Sequence, residues 1–507
     1  MNYERQAGIL LHPTSLPGPD GIGDLGPAAY QWVDSLKKAG FSLWQVLPLG
    51  HTGYGDSPYQ CFSAFAGNPY MISPSLLLEE GLLHRSDLNE RPLLPADYVD
   101  FNAAVKWKNN LLTIAYDRFI KIHPPLLVDE FEEFQQEEGY WLNNFSLFMA
   151  IKDSMGGIAW IDWPAEFRRR EPASIEEYIR NHTEELDYHK FRQFFFFRQW
   201  KKLRSYVNES GIKIIGDIPL FVSYDSADVW ANPELFYLDP NGKPTVVAGV
   251  PPDYFSETGQ LWGNPHYRWD YHKETGYAWW IERIKANLSL YDFIRLDHFR
   301  GFYDYWEVPA GEKTAVKGRW VLGPGADFFN KVLNSLGSLP IIAEDLGDIR
   351  QEVFDLRDQF NLPGMKIFQF AFADDPTDPF LPHNYPVNCV AYTGTHDNDT
   401  TVGWYNSAPE VEKDFCRRYL ACDSSGIPWE MIRAVWQSSA RMAIAPLQDF
   451  MSLDTSARMN YPGRLGGNWR WRMVSNELSD ELIRRTREIN WLYNRLPELQ
   501  KKKRKGY

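Results

Sequence analysis

The sequence predicts an α/β fold, a (β/α)8 TIM barrel with large insertions. Three observations support this prediction: eight short apolar runs are spread over the whole chain, amphipathic helical patterns lie between many of them, and polar or glycine-rich sequence follows each run. Near-continuous apolar runs are typical of parallel strands that are buried on both faces. The predicted strands are 8–16, 42–49, 212–222, 290–297, 339–346, 365–372, 388–397 and 442–451.

Helical patterns account for the shorter connections between these strands. Residues 28–39 place Trp32 and Leu36 on one side, which is the spacing of an amphipathic helix. Residues 349–360 and 429–440 show the same kind of pattern. Strand and helix therefore alternate along the chain, as they do in a barrel of this type.

Two connections are much too long for simple loops. The first, at about 50–211, is rich in aromatic and charged helical patterns, and we expect a mostly helical subdomain after strand 2. The second, at about 223–289, holds many Gly, Pro, Trp and Tyr residues and little helical periodicity. Long irregular segments at a barrel mouth are usually functional, so we expect a substrate lid after strand 3. The prediction is a single catalytic domain, 1–507, carrying both insertions.

Composition narrows the range of partners and compartments. The formal net charge of −14 argues against nucleic acid or an anionic membrane surface as the main partner. No run of about 20 apolar residues is present to cross a bilayer. The 4 cysteines lack disulfide-framework or metal-site spacing, so we expect a cytoplasmic protein. Aromatic residues make up 15% of the chain, and flat rings suit the apolar faces of sugar units.

Arg295 and Asp297 provide the first indication of chemistry. They lie two residues apart at the end of the apolar run 290–297, so their side chains point the same way from a strand. The arginine would keep the aspartate ionised, which a carboxylate nucleophile requires. From the residues alone, an ion pair that only satisfies itself remains an open alternative.

Carboxylates occur at the C-terminal ends of several predicted strands, where reacting groups lie in barrels of this type. Paired carboxylates on an aromatic-rich scaffold indicate glycosidic-bond chemistry, in which one carboxylate attacks and another donates a proton. No phosphate-binding loop, thiol nucleophile or metal-binding motif competes with this interpretation. The strand-end carboxylates are Asp217, Asp297, Glu344 and Asp397, and the nearby bases are Arg295, His298 and His396.

Longer motifs carry a resemblance that covers nearly the whole chain in order. They are GDSPYQ (55–60), GDIPLFV (216–222), AGVPPDYFSETGQLWGNP (248–265), RLDHFRGF (295–302), AEDLG (343–347), THDNDT (395–400), and RMNYPG with GGNWRWR (458–472). On these motifs the sequence resembles the 4-α-glucanotransferases of the α-amylase clan, also called amylomaltases or disproportionating enzymes. The resemblance implies α-1,4-glucan substrates, such as maltooligosaccharides and fragments of starch or glycogen, and no metal or other cofactor.

The resemblance also implies roles for three acids. Asp297 would be the nucleophile that forms a covalent glucosyl-enzyme, and Glu344 the general acid and then the general base. Asp397 would stabilise the transition state by holding hydroxyls of the distorted sugar. A retaining mechanism of this kind implies that the carboxyl groups of Asp297 and Glu344 lie about 5–5.5 Å apart.

Further residues are predicted to bind substrate by the same resemblance. Tyr59 would stack on the sugar at the cleaved bond, and the loop 250–264 would cover the acceptor side. An ordinary core role for Tyr59 or Trp262, and a satisfied barrel histidine at His298 or His396, remain open alternatives. The predicted substrate-binding residues are Ser57, Tyr59, Asp217, Asp253, Gln260, Trp262, Arg295, His298 and His396.

The three acids do not distinguish a transferase from a hydrolase, because both use them. A lid that carries a tryptophan would favour a sugar acceptor over water by excluding solvent and fixing the acceptor's orientation. We therefore expect transfer, with hydrolysis as a minor side reaction. The alternatives are an α-1,4-glucan hydrolase of the same clan and a non-catalytic glucan-binding barrel, which would need one of the three acids to be missing.

Overall fold

The computed structural model describes residues 4–252, 256–373, 375–474 and 478–497. Its strands are β1 (Gln6–Leu10), β2 (Leu43–Gln45), β3 (Lys213–Ile218), β4 (Val246–Val250), β5 (Gln260–Pro265), β6 (Phe293–Leu296), β7 (Asp304–Pro309), β8 (Arg319–Leu322), β9 (Ile341–Ala343), β10 (Gly364–Ile367), β11 (Cys389–Tyr392) and β12 (Met442–Pro446). Eight of these strands are parallel and pair in the order β10-β11-β12-β1-β2-β3-β6-β9. Where β9 approaches β10, Ala343 N donates a hydrogen bond to Pro363 O (2.9 Å).

The predicted barrel is confirmed, since each of the eight predicted runs overlaps one barrel strand. The strands are shorter than the apolar runs. The run 8–16 leaves the sheet after Leu10 and forms a 3-10 turn at Pro13–Ser15, because proline has no N–H for a ladder bond. The run 442–451 continues past Pro446 as a short helix, Leu447–Phe450.

The barrel strands are buried on both faces, which explains their unbroken apolar sequence. Ile214 packs outward against the surrounding helices while Ile215 points into the barrel interior. On β9, Ile341 likewise packs outward and Ile342 points into the barrel interior. The interior is thus a packed core, and only the strand ends are open to solvent.

Helices surround the barrel. Helix α1 covers the predicted segment: it begins at a proline, ends at Gly40 in the left-handed conformation, and buries Trp32, Val33 and Leu36. No helix among the described residues is long and apolar enough to cross a membrane. The helices are α1 (Pro27–Ala39), α2 (Pro74–Glu79), α3 (Phe101–Ile122), α4 (Pro125–Glu137), α5 (Gly139–Ser154), α6 (Ala165–Arg168), α7 (Pro172–Asn181), α8 (Thr183–Glu209), α9 (Ala227–Ala231), α10 (Trp269–Glu274), α11 (Ala278–Leu290), α12 (Gly325–Leu336), α13 (Gln351–Gln359), α14 (Thr401–Ser407), α15 (Glu410–Leu420), α16 (Ile427–Gln437), α17 (Leu447–Phe450) and α18 (Asp480–Leu492).

The chain between β2 and β3 contains α2 to α8, so this connection is largely helical. Helix α8 packs along α5 and buries consecutive rings at Phe194, Phe195 and Phe196. The division of the chain into a barrel and a separate helical subdomain stays a prediction.

The connection between β3 and β6 is more regular than the sequence predicts. It contains α9 to α11 and also the hairpin β4–β5, which joins β7 and β8 in a four-stranded antiparallel sheet ordered β5-β4-β7-β8. A register shift between Val247 and Gly249 interrupts the pairing of β4 with β5. That shift breaks the alternation by which an antiparallel strand is recognised in sequence.

Candidate active site

Arg295 joins two carboxylates at the mouth of the barrel. Asp217 and Arg295 are register partners on the neighbouring strands β3 and β6. Nη1 of Arg295 lies 2.9 Å from Oδ1 and 2.7 Å from Oδ2 of Asp217, and 2.9 Å from Oδ1 of Asp297. The prediction that Arg295 and Asp297 point the same way is therefore confirmed.

In this group, burial and the neighbouring charges shift the pKa values in opposite directions. The side chains of Asp217 and Arg295 are buried, whereas that of Asp297 is 30% exposed. Burial raises the pKa of Asp217, and Arg295 opposes that shift. Burial alone would lower the pKa of Arg295, but Asp217 and Asp297 outweigh it and hold that pKa well above its ordinary value. Arg295 therefore remains a permanent cation beside Asp297.

Tyr59 connects this ion pair to His396. Its hydroxyl donates to Oδ2 of Asp217 (2.9 Å), and the hydroxyl oxygen lies 2.9 Å from Nε2 of His396. The two rings stack with centroids 5.2 Å apart and planes 14° apart, and Trp469 packs against both at 5.8 and 5.9 Å. Ser57 contacts the backbone of Tyr59, because its Oγ accepts a hydrogen bond from Tyr59 N (3.2 Å).

Asp397 stands at the open end of the same group. Its Oδ2 is 3.4 Å from Nε2 of His396, and its Oδ1 accepts a hydrogen bond from Nδ2 of Asn460 (2.6 Å). Nη2 of Arg458 donates to the backbone oxygen of Asp397 (2.8 Å). The side chain is 44% exposed, so a ligand in the mouth can reach this carboxylate.

Glu344 follows β9 and is held by backbone donors. The backbone N–H of His298 donates to its Oε2 (2.7 Å) and that of Leu346 to its Oε1 (3.0 Å). His298 adopts the left-handed conformation (φ 52°, ψ 50°), and Asp297 and Arg295 lie near enough to act on the carboxyl group. Burial, opposed by Arg295 and assisted by Asp297, raises the pKa of Glu344 to about 7. This side chain can therefore hold a proton near neutral pH.

The sheet ladder positions these carboxylates. Asp297 N donates to Ile218 O (3.0 Å), and Glu344 N donates to Leu296 O (3.1 Å). Because the ladder continues to the residues that bear them, Asp297 and Glu344 are fixed by the backbone of three adjacent strands, β3, β6 and β9. The separation predicted for their carboxyl groups stays a prediction.

The hairpin β4–β5 contributes aromatic surface beside His298. The ring of Trp262 meets that of His298 edge to face, with centroids 5.0 Å apart, and Phe221 packs against Trp262 at 6.3 Å. Nε1 of Trp262 donates to Oε1 of the exposed Gln260 (3.2 Å). Burial lowers the pKa of His298 to about 4. Asp253, also predicted to bind substrate, lies outside the described residues.

Sequence reasoning missed Trp469 and Phe221. Both lie within quoted motifs, but only the folded chain brings Trp469 against Tyr59 and His396, and Phe221 against Trp262. The positive φ of Trp469 (63°) is a signal visible only in the backbone. Within the described ranges, no group of three or more His, Cys, Asp or Glu side chains is arranged to hold a metal ion.

Comparison with known proteins gives concordant matches. A family model described as 4-alpha-glucanotransferase, glycoside hydrolase family 77, matches residues 11–477. The chain is 51% identical to the 4-alpha-glucanotransferase of Thermus thermophilus, over 95% of this chain and 97% of that protein. It is 50% identical to that of Synechocystis sp., over 97% and 98%. An amylomaltase from Streptococcus agalactiae, solved in complex with acarbose, superimposes with a TM-score of 0.94 at 40% identity, covering 97% of this chain and 100% of that one.

Proposed function

From the premise that this chain belongs to the 4-alpha-glucanotransferase family and transfers glucan segments, we propose a retaining double displacement at the barrel mouth. An α-1,4-glucan segment passes from a donor maltooligosaccharide to the 4-hydroxyl of glucose or of another glucan. The observation that carries the proposal is the single group formed by Asp217, Arg295 and Asp297, with Glu344 on the next strand.

In the first half-reaction Asp297 attacks the anomeric carbon of the donor. Arg295 holds Oδ1 of Asp297, which leaves Oδ2 to form the new bond to carbon. The bond between the anomeric carbon and the glycosidic oxygen breaks, and the proton of Glu344 passes to that oxygen as the reducing-end fragment leaves. The raised pKa of Glu344, about 7, supports its role as the acid.

In the second half-reaction the ionised Glu344 takes the proton from the 4-hydroxyl of the acceptor. The acceptor oxygen bonds to the anomeric carbon, and the ester to Asp297 breaks, which restores the starting enzyme. Two inversions at one carbon retain the α configuration. Asp397, held by Asn460 and close to His396, is placed in this scheme to bind ring hydroxyls as positive charge develops on the sugar.

Gln260 and Trp262 are proposed to bind the acceptor. Both lie on β5, where Trp262 packs against His298. Gln260 is exposed and Trp262 is only partly covered. A sugar stacked on Trp262 would displace water from the glucosyl-enzyme, and the acceptor would be oriented before it reacts. The partition between sugar and water then depends on this hairpin.

Incubation with maltotriose tests the proposed function. A transferase produces glucose together with a ladder of longer oligomers, and a labelled glucose acceptor appears at the reducing end of the products. A hydrolase produces only shorter sugars and leaves the label in glucose. The second pattern would contradict the proposal.

We also propose a cytosolic location for this enzyme. The four cysteines are free thiols in the structure, which agrees with a reducing compartment. Recovery of the activity from a secreted fraction of the source cells would contradict this proposal.

A further inference from the structure

A small cavity borders His396 and is lined by both apolar and polar side chains. It is enclosed by the segments that follow β1, β11 and β12, and His12, Thr395, His396, Gln448 and Arg458 are among its lining residues. His12 and His396 are buried, with 5% and 4% of their surfaces exposed. The Nδ1 atoms of both rings are buried without a hydrogen-bond partner among the described residues.

The hydrogen bonds on the opposite edge of His396 determine where its proton lies. Both oxygens of Asp217 accept from Nη1 of Arg295, an ion pair that favours the ionised carboxylate. An ionised carboxylate can only accept, so the hydroxyl of Tyr59 donates to Oδ2 of Asp217. The single hydroxyl hydrogen of Tyr59 is thereby committed to Asp217. The hydroxyl oxygen then acts as an acceptor toward Nε2 of His396, 2.9 Å away. Nε2 must therefore carry a hydrogen.

A neutral His396 with its hydrogen on Nε2 has a lone pair on Nδ1, the ring atom that has no hydrogen-bond partner among the described residues. Burial lowers the pKa of His396 and so favours this neutral ring. A buried acceptor needs a donor, and the cavity has polar side chains in its lining and room for one water molecule.

We propose that a water molecule in this cavity, held by Nδ1 of His12, donates a hydrogen bond to Nδ1 of His396 and fixes its tautomer. His12 is then a positioning residue for the transfer reaction. With the opposite tautomer, the Nε2 lone pair would face Oδ2 of Asp397 at 3.4 Å, and Tyr59 would have to donate to His396 instead of Asp217. The inference rests on the proposed function, in which these groups orient the sugar.

The tautomer itself is measured on the wild-type enzyme by nitrogen-15 NMR of labelled histidine. The resonances of His396 are assigned by their loss in a His396→Gln variant. We expect an unprotonated Nδ1 and a protonated Nε2, and a high-resolution crystal structure with a water within hydrogen-bond distance of both Nδ1 atoms. A hydrogen on Nδ1 of His396, or a direct side-chain donor in place of the water, would overturn the inference.

Variants at His12 test the functional consequence. His12→Phe keeps a ring but removes the polar anchor, and we expect kcat for maltotriose to fall about tenfold with KM little changed. His12→Gln, which can hold the water, should restore most of that loss. The matched control is His272→Phe, which replaces another buried imidazole, packed among Tyr267, Trp269 and Trp279, and should leave kcat unchanged.

Unchanged kcat and tautomer in His12→Phe would overturn the inference, as would a well-folded His12→Gln enzyme that stays as slow as His12→Phe. If His12→Phe does not fold, the wild-type NMR result and the His12→Gln rates still decide the question. A wild-type enzyme that only hydrolyses maltotriose would contradict the proposed function instead, because the tautomer measurement does not depend on transfer.

Discussion

The two sides of the barrel mouth are built differently. On one side, Asp217 and Arg295 come from adjacent barrel strands and are almost fully buried, and Tyr59 connects them to His396. On the other side, Gln260 and Trp262 lie on a hairpin strand outside the barrel, and a hydrogen bond of 3.2 Å joins their side chains.

This difference separates two tasks. Charges that must meet a reacting carbon need fixed positions, and the strand ladder with buried partners supplies them. A surface that must accept glucans of different lengths needs exposed rings rather than a rigid network. The comparison predicts that substitutions in the buried group reduce the chemical step, while substitutions on the hairpin change the choice of acceptor.

The largest effect is expected for Asp297→Asn. Removal of the nucleophile should lower kcat for maltotriose on the order of 10⁴-fold, because the covalent intermediate is no longer formed. Asp423→Asn, at an exposed aspartate on a surface turn, should retain full activity. Transfer by Asp297→Asn within tenfold of wild type would refute the nucleophile assignment.

Glu344→Gln should lower kcat for maltotriose by roughly 10²–10⁴-fold, the usual contribution of a general acid and base. The deficit in forming the glucosyl-enzyme should be much smaller with α-glucosyl fluoride, since fluoride leaves without a proton. Rates of fluoride release and glucose release measure the two cases. Equal deficits for both substrates would rule out Glu344 as the acid.

The pH profile provides a third test of the buried side. Glu344 must be protonated to act as the acid, and its raised pKa of about 7 means that this form is lost as the pH rises through 7. Above that value kcat/KM should fall about tenfold per pH unit. The same limb should be missing for Glu344→Gln with α-glucosyl fluoride. A profile for maltotriose that stays flat to pH 9 would contradict this.

Tyr59→Phe removes one hydroxyl from the buried network while keeping the ring that stacks on His396. Loss of the bond to Asp217 should lower kcat about tenfold with a small change in Tm. Tyr140→Phe, at a tyrosine that is 50% exposed, is the matched control and should behave as wild type. A Tyr59→Phe enzyme with normal kcat would mean that the hydroxyl bridge has no part in the reaction.

The smallest effect on overall turnover is expected for Trp262→Ala. Donor cleavage should change by about threefold or less, while the ratio of hydrolysis to transfer rises because water reaches the glucosyl-enzyme. Free reducing ends and labelled-acceptor products give that ratio. Trp491→Ala, at an exposed tryptophan on α18, should leave the ratio unchanged. An unchanged ratio in Trp262→Ala would remove the hairpin from acceptor binding.

Most features of the barrel side can be predicted from the sequence, but fewer features of the hairpin side can. All eight barrel strands are predictable, because strands buried on both faces have unbroken apolar sequence. Their ends are not, since the run 442–451 stays apolar where strand gives way to the helix Leu447–Phe450. The sheet that contains β4 and β5 escapes prediction because its register shift disrupts the two-residue period.

The contacts of the site also include some that the sequence predicts and others that it does not. The pairing of Arg295 with Asp297 follows from strand alternation, and the motifs predict the three acids. By contrast, the bond between Tyr59 and Asp217 joins residues 158 positions apart, and no local pattern reports it. The packing of Trp469 on His396 likewise depends on a return of the chain that only the folded structure reveals.

The central claim is that Asp297 carries the glucan between the two half-reactions. Trapping tests this directly: Glu344→Gln is incubated with α-maltosyl fluoride, and intact-mass measurement with peptide mapping locates the label. We expect one maltosyl unit per enzyme, attached as an ester to Asp297. A label on another carboxylate, or turnover to longer maltooligosaccharides with no covalent adduct, would contradict the account.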